Sequence, residues 1–411
     1  MYEKDLVKSV EPLEYEKIKN RKPKIKVYLN SDNIRKNFKN IKMYLDGESL
    51  KYKIKDKKIK YTPKRKLKRG RHCVKISVVF PKGETYDYAW YFIIEEKEIM
   101  NYYFGNLHSH TSYSSGQGTP EEALNNAKNK GMDFWALTDH SSSLNTDEKW
   151  EQYRNVCSEF NKKHKNNLAL FGKEISVKGL GHLNLFNCDK VDKVKINKLD
   201  KLEKIINKYE DVILCINHPG KSVFNLKNEK HLNENICLIE VGNGSFGEKY
   251  NRYEKHYYGM LDQGWHLGAV NSQDNHKRDW GKWENLTVIL APKLNKKYIF
   301  EAIRKRRIYS TESNTMKLKF KLGEMWMGSV VKEYKKGDII QFTVECEDKK
   351  IPIEKVQIIT NGSVVLEEKN IMGYKCAWKP KVKLDTDNAW YVVKVIQKGG
   401  RRGISSPIIV K

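Results

Sequence analysis

The sequence contains no CxxC pair. Its seven cysteines, Cys73, Cys157, Cys188, Cys215, Cys237, Cys346 and Cys376, are odd in number and scattered through 411 residues. That argues against a disulfide framework and against a thiolate zinc site. Cys215 and Cys237 sit inside apolar runs, as small core residues do, and a reducing compartment fits best. No run of about 18 apolar residues occurs, so no membrane-spanning helix is expected. The opening MYEKDLVKSV lacks an apolar core of the kind a secretory leader carries. The expectation is therefore a cytoplasmic protein, with a cell-surface location kept for a chain whose leader has been lost. Neither a GxSxG elbow nor a Walker A sequence is present, which argues against serine-hydrolase and NTPase chemistry. No internal repeat is evident.

What is abundant is positive charge. Lys and Arg total 78 against 51 Asp and Glu, a formal net charge of +27. An excess of this size attracts nucleic acid, anionic lipid or a phosphorylated substrate. A bias toward Lys, Asn and Ile along the whole chain would produce the same excess, and composition alone favours that reading.

Three segments differ in pattern. Residues 1–100 read as all-β. KYKIKDKKIKY (Lys51 to Tyr61) alternates charged and apolar residues on both sides of Asp56-Lys57, the mark of a hairpin with one wet and one buried face. Thirteen Lys or Arg and one acid fall between Lys51 and Lys75. They form either a polyanion-holding patch or a solvated strand face with lysines blunting sheet edges, and the second is the simpler. Residues 101–311 alternate strand-like and helix-like runs. TPEEALNNAKNKG reads as a helix with Thr119 as N-cap, Pro120 at its first position and Gly131 as stop. Asp147–Lys163, Asn197–Tyr209, Tyr250–Gln263 and Lys296–Arg307 are further expected helices. Repeated βα units with buried strands imply an α/β barrel or an open parallel sheet. Residues 312–411 return to short strands and predict a small β-sandwich.

The chemistry concentrates at the strand ends of the middle segment. His108 and His110, two apart on a strand, point to one face and can give one metal two nitrogens from one rigid element. The strand DFWALT ends abruptly in Thr138-Asp139-His140. Glu174 closes LALFGKE, His182 opens HLNLFN, His218 ends a strand in NHPG, and Asp274-Asn275-His276 follows LGAVN. Each alone could be an ordinary structural residue, and for His182 alone that reading is preferred. Together they are hard to explain so, because parallel strands bring their C-terminal ends to one place. Six imidazoles and two carboxylates suit zinc, manganese or iron better than calcium.

HSHTSYSSG, TDH, Glu174, His182, NHPG and DNH, in that order, resemble the PHP (polymerase and histidinol phosphatase) domain, and most of all its carbaryl-hydrolase-like metallohydrolase branch. The resemblance covers about residues 101–311. It implies a distorted (β/α)7 barrel, here flanked by small β-sandwich-like domains at 1–100 and 312–411, holding two or three divalent metal ions. By motif, His108, His110, Glu174 and Asp274 would hold one ion. Glu174 would bridge to a second ion, bound also by His182 and His218, and His140 with His276 would serve a third. One departure stands out. The family has Asp in the turn after HxHT where this chain has Ser115, a poor ligand, so the third site is expected to be weaker.

The expected activity is that of a phosphoesterase using a metal-activated water on nucleotides, oligonucleotide ends or small phosphate esters. Asp139 or Asp274 would orient a ligand or move a proton, and His276 or His218 would protonate the leaving group if free of metal. Lys173, Lys221, Lys277 and Arg278 neighbour these motifs and could gather a phosphate, although lysine is common next to any residue here. Carbamate or carboxyl-ester hydrolysis with the same metal centre is the alternative enzyme reading. A polyanion- or surface-binding module with a degenerate metal site is the non-enzymatic one. Gly242-Asn243-Gly244-Ser245-Phe246-Gly247 spells a dinucleotide fingerprint, but it lies deep among metal-type motifs without a supporting element. It is read instead as a βα loop lining the pocket.

Overall fold

The computed structural model describes residues 6–30, 41–55, 57–80, 83–95, 99–188, 198–209 and 211–411. They form two compact units, Met1–Ile99 and Met100–Lys411. Among the described residues no helix is long and apolar enough to cross a membrane.

The first unit is all-β. One sheet runs Val7–Glu11, Ile25–Leu29, Lys58–Tyr61, Lys53–Lys55, and the other is built on the long pair Gly70–Val79 and Thr85–Ile94. Alternate residues of both sheets, among them Val27, Ile59, Ile76 and Phe92, enter one apolar cluster. The Lys51–Tyr61 pattern forms the hairpin it implies, with Ile54 opposite Ile59. Lys57 takes the left-handed turn conformation, while Asp56 lies outside the described residues.

The second unit is mixed α/β. Its central strands are Asn101–Asn106, Phe134–Leu137, Leu168–Val177, Gly181–Phe186, Ile213–Ile216, Ile236–Gly244 and Gly268–Ser272. The first three pair in parallel, as do the last three. Between these sets Gly181–Phe186 runs antiparallel to both its neighbours. The reason is local: a tight turn at 178–180, with Gly179 and Gly181 at positive φ, leaves no room for the helical crossover a parallel pair needs.

Helix Pro120–Asn129 begins as its sequence implies. Thr119 Oγ1 accepts from Glu122 N–H, and Glu122 Oε2 accepts from Thr119 N–H, a reciprocal capping box. Asp147–Lys163 is helical over its expected length. In the expected helix Asn197–Tyr209 the structure gives Leu199–Lys208, with Asn197 outside the described residues. The expected helix Tyr250–Gln263 starts later, at Glu254, because Tyr250–Arg252 pairs as a strand with Ile236–Gly244. Helix Lys296–Arg304 stops short of Arg307.

At 311/312, where the sequence pattern changes, the sheet continues. Ile308–Thr311 pairs with Arg401–Ser405, which pairs with Ala389–Gln397. Val288, Leu290 and Tyr309 share a cluster with Phe320, Phe342 and Val393. Buried Glu312 clamps this junction: Arg252 donates to both its oxygens at 2.7 Å, with Tyr250 OH at 2.9 Å and Arg402 N–H at 2.9 Å. A bidentate guanidinium with two further donors satisfies a carboxylate that burial would otherwise penalise.

Candidate metal centre

Backbone hydrogen bonds between strand ends assemble the site. Asp274 N–H donates to His108 O (3.0 Å), and His110 N–H to Asn275 O (2.9 Å). Thr138 N–H reaches Ser109 O (2.9 Å), Glu174 N–H reaches Asp139 O (3.1 Å), and Asn217 N–H reaches His182 O (3.0 Å). All the motif-bearing ends are thus drawn together. Gly116 permits the loop after His110 to fold back, since a Cβ there would lie 2.6 Å from the His110 carbonyl carbon. His218 and Asp274, φ +26° and +48°, sit in the left-handed region that costs non-glycine residues energy. Such outliers persist where surrounding structure fixes them, commonly at functional sites.

Glu174 is the hub. Its Oε1 lies 3.3 Å from His108 Nε2, 3.2 Å from His182 Nδ1 and 3.3 Å from His218 Nε2. Its Oε2 lies 2.9 Å from His140 Nδ1 and 3.4 Å from His110 Nε2. Asn217 Nδ2 donates to Oε1 at 2.9 Å and steadies the carboxylate. Asp274 Oδ1 lies 3.3 Å from His108 Nε2 and 3.2 Å from His110 Nε2, and 3.6 Å from His276 Nδ1. His276 Nδ1 donates to Asp274 O at 2.9 Å, and its side chain is 44 % exposed, at the rim.

Donor atoms gather into four overlapping triads: His108–His110–Glu174, His108–His218–Asp274, Glu174–His182–His218 and His110–His140–His276. The eight residues expected as ligands are therefore in one place. Two features fit a cation there. Asp274 Oδ1 is buried without a hydrogen-bond donor. The Nε2 atoms of His108 and His110 face each other at 3.2 Å, a contact two lone pairs disfavour and a shared positive charge resolves.

The electrostatics agree. Burial pushes the His108 imidazole down, but the carboxylates of Asp274, Glu174 and Glu240 outweigh it and hold it well above the usual histidine range. Burial works to raise Glu174, yet the His108 charge and hydrogen bonds from His108, His140 and His182 hold its carboxyl far below the usual range. A site that grips protons this way grips cations by the same donors, releasing the protons.

Sequence reasoning missed Glu240. It is fully buried in the strand Ile236–Gly244. His108 Nδ1–H donates to its Oε1 at 2.9 Å, which leaves Nε2 free to face an ion. Its Oε2 accepts from His218 N–H at 2.6 Å and Asn243 Nδ2 at 2.8 Å. The signal was present: an acid inside the apolar run ICLIEV has to have a partner.

Asp139 touches no imidazole directly. Its oxygens accept from Thr111 N–H (2.8 Å), Thr111 Oγ1 (2.7 Å), Ser114 Oγ (2.5 Å) and Tyr153 OH (2.9 Å). Ser114 Oγ lies 3.3 Å from His110 Nδ1, so Asp139 reaches that ligand through the serine. Lys173 is not brought to the cluster. Adjacent strand residues face opposite ways, and its ammonium lies buried, 5.6 Å from the Trp150 ring centre. Lys221, Lys277 and Arg278 are exposed, and Arg278 Nε lies 3.7 Å from Glu122. The GNGSFG segment is not a βα loop but the turn of a hairpin: Gly242 pairs with Arg252 and Gly244 with Tyr250. A Cβ on Gly242 would overlap the Tyr250 hydroxyl at 2.0 Å, which explains that glycine without a dinucleotide.

Residues 106–269 match the family model of the PHP domain. Asp274 and His276 follow just beyond the matched range. No curated protein matches the sequence. Among solved structures, a two-domain protein from Bacteroides vulgatus described as containing a predicted PHP-like metal-dependent phosphoesterase is 15 % identical, with 74 % of this chain and 95 % of that one covered and a TM-score of 0.45. An amidohydrolase from Chromobacterium violaceum, solved with bound sulfate and no metal, is 14 % identical over 42 % of this chain and 87 % of that one, with a TM-score of 0.26.

Proposed function

We propose that this chain is a metal-dependent phosphoesterase with a distorted (β/α)7 barrel of the PHP kind, acting on nucleotides, oligonucleotide ends or small phosphate esters. The observation that carries the proposal is Glu174, whose two oxygens meet five imidazole nitrogens within 3.4 Å. His108, His110, Glu174 and Asp274 would hold one ion; Glu174, His182 and His218 a second; His140 and His276 a third. Nitrogen-rich donors of this kind suit zinc, manganese or iron. Bound ions would acidify a water and neutralise charge on the phosphoryl oxygens.

The chain's own residues supply the rest. Glu174 contributes to two of the triads and would serve both main ion positions. His276, tethered through Nδ1 and exposed at the rim, would be a ligand where a third ion is bound; without that ion its imidazolium form could give a proton from Nε2 to a departing alkoxide. Asp139 acts by orienting His110 through Ser114. Lys221, Lys277 and Arg278 offer positive charge for an anionic substrate, Arg278 with bidentate geometry.

The test is a panel with manganese or zinc: an aryl phosphate, a dinucleotide, a 5′-phosphorylated oligonucleotide and an aryl carbamate. Turnover of a phosphate ester that a chelator abolishes is the expected result. Turnover of the carbamate alone overturns the proposal, as does no turnover from a protein that elemental analysis shows to bind no metal. Ser115 is exposed in the turn before Gly116. Ser115→Asp is expected to raise metal content per chain, because the resemblance implies a carboxylate ligand for the third position at this turn, where serine is a weak donor; an unchanged count would refute a third site limited by that residue.

A further inference from the structure

We propose that the outer face of the sheet Val7–Glu11, Ile25–Leu29, Lys58–Tyr61, Lys53–Lys55 binds single-stranded nucleic acid through a lattice of lysines. The register sets the lattice. Lys53 lies opposite Lys60, which lies opposite Lys26 on the next strand; Lys55 lies opposite Lys58, which lies opposite Tyr28. The intervening Ile54, Ile59 and Val27 face the core, so these six side chains share the outward face. Lysines recur about 6.6 Å apart along each strand and about 4.8 Å apart across strands.

Like charges directly opposite in a sheet are destabilising. Among the described residues the chain's other strand pairs avoid them. In the second unit Lys317 lies opposite Glu347 and Lys319 opposite Glu345, and both pairs form ion pairs. A lysine-rich composition therefore does not force lysine against lysine. Nor is the charge spread evenly: residues 1–99 hold 27 Lys and Arg against 14 Asp and Glu, nearly half the net +27 in a quarter of the chain. On the sheet's outer edge Glu11 is already engaged, accepting from Lys26 Nζ at 2.5 Å and Tyr28 OH at 2.7 Å. Lys58 shares the field of Glu11 and the Tyr28 ring, while Lys53, Lys55 and Lys60 stand beside it on the same face, so the hairpin keeps an excess of like charge that an external polyanion would relieve.

Tyr28 selects among polyanions. It lies within the lattice, with the Lys58 ammonium 4.4 Å from its ring centre. Interleaved rings and cations are how proteins hold nucleic-acid strands, the rings stacking on bases while the cations follow phosphates. Lipid headgroups and polyphosphate have no flat face to stack. The inference is independent of the metal centre.

Fluorescence anisotropy of a labelled twenty-nucleotide oligothymidylate, with the full chain and EDTA present, tests it. Binding is expected to weaken with salt at a log–log slope of about −3, as four phosphate contacts on a single strand give. The quadruple variant K53Q/K55Q/K58Q/K60Q is expected to bind at least ~30-fold more weakly at low salt, since most of that slope disappears. Its Tm should rise at low salt as the repulsion is removed, a change opposite to that of a misfolded variant. Tyr28→Ala is expected to cost about tenfold in Kd. A control losing Lys293, Lys297, Lys349 and Lys398 to Gln should bind within about twofold of the parent. Absence of binding at low salt overturns the proposal, as does an equal loss in the control. Preference for phosphatidylserine vesicles, or displacement by polyphosphate at equal phosphate concentration, overturns the assignment to nucleic acid.

Discussion

Glu174→Ala is expected to abolish metal binding and to lower the proposed phosphoesterase activity about a thousandfold or more. The scale follows from charge stabilisation by bound ions, worth several kcal/mol, with each ~1.4 kcal/mol a factor of ten. The argument for Glu174 rather than any one histidine is positional. Both its oxygens are shared, Oε1 among His108, His182 and His218 and Oε2 between His140 and His110. Its loss leaves His140, His182 and His218 without the carboxylate they share, and leaves His108 and His110, whose Nε2 atoms lie 3.2 Å apart, only Asp274 Oδ1 as a common acceptor. His182→Ala, by contrast, removes one half-exposed donor and is expected to lower metal content by a single site while the His108 side retains its ion. Elemental analysis beside the steady-state rate checks both. Normal metal content in Glu174→Ala would show that the five contacts are structural, and the proposed activity would lose its basis.

Much of this site was legible in the sequence because apolar strands that end in histidine and carboxylate have few structural excuses. The thirteen-residue run from Thr119 to Gly131 announced its own cap, first turn and stop, and the helix formed where those residues place it. What was hidden depended on pairing. Nothing local says that Leu168–Val177 turns straight back into Gly181–Phe186, so the expectation of uniform βα units missed an antiparallel step. That step matters, since it is what sets His182, which taken alone in the sequence reads as a structural residue, beside Glu174. Lys173 does not join the cluster for a simpler reason. Sequence adjacency to a ligand on a strand places a side chain on the opposite face, and Lys173 packs against Trp150. The lysine hairpin was seen as a pattern, but its register, lysine against lysine, could only be read once the strands were paired.

Glu240→Gln is expected to weaken metal affinity by 10- to 100-fold, the range for carboxylates that orient a ligating histidine. It is also expected to leave kcat near the parent value once metal is saturating. The reasoning rests on which atoms the carboxylate serves. Through Oε1 it fixes the His108 proton on Nδ1, so that Nε2 carries the lone pair toward the cluster. Through Oε2 it accepts from His218 N–H and holds that residue at its strained φ of +26°. A glutamine keeps one acceptor oxygen but puts an amide either where His108 Nδ1–H now binds or where His218 N–H and Asn243 Nδ2 do, so either the His108 tautomer or the His218 backbone loses its support. Glu240→Ala goes further, leaving His108 Nδ1, His218 N and Asn243 Nδ2 without an acceptor, each unmet buried donor costing about 1–3 kcal/mol of stability. Metal titration separates this role from that of Glu174: excess metal should restore Glu240→Gln and should not restore Glu174→Ala. If Glu240→Gln binds metal as tightly as the parent, the carboxylate does no more than fill the strand interior. Two ligands on distant strands would then owe their geometry to the backbone bridges alone.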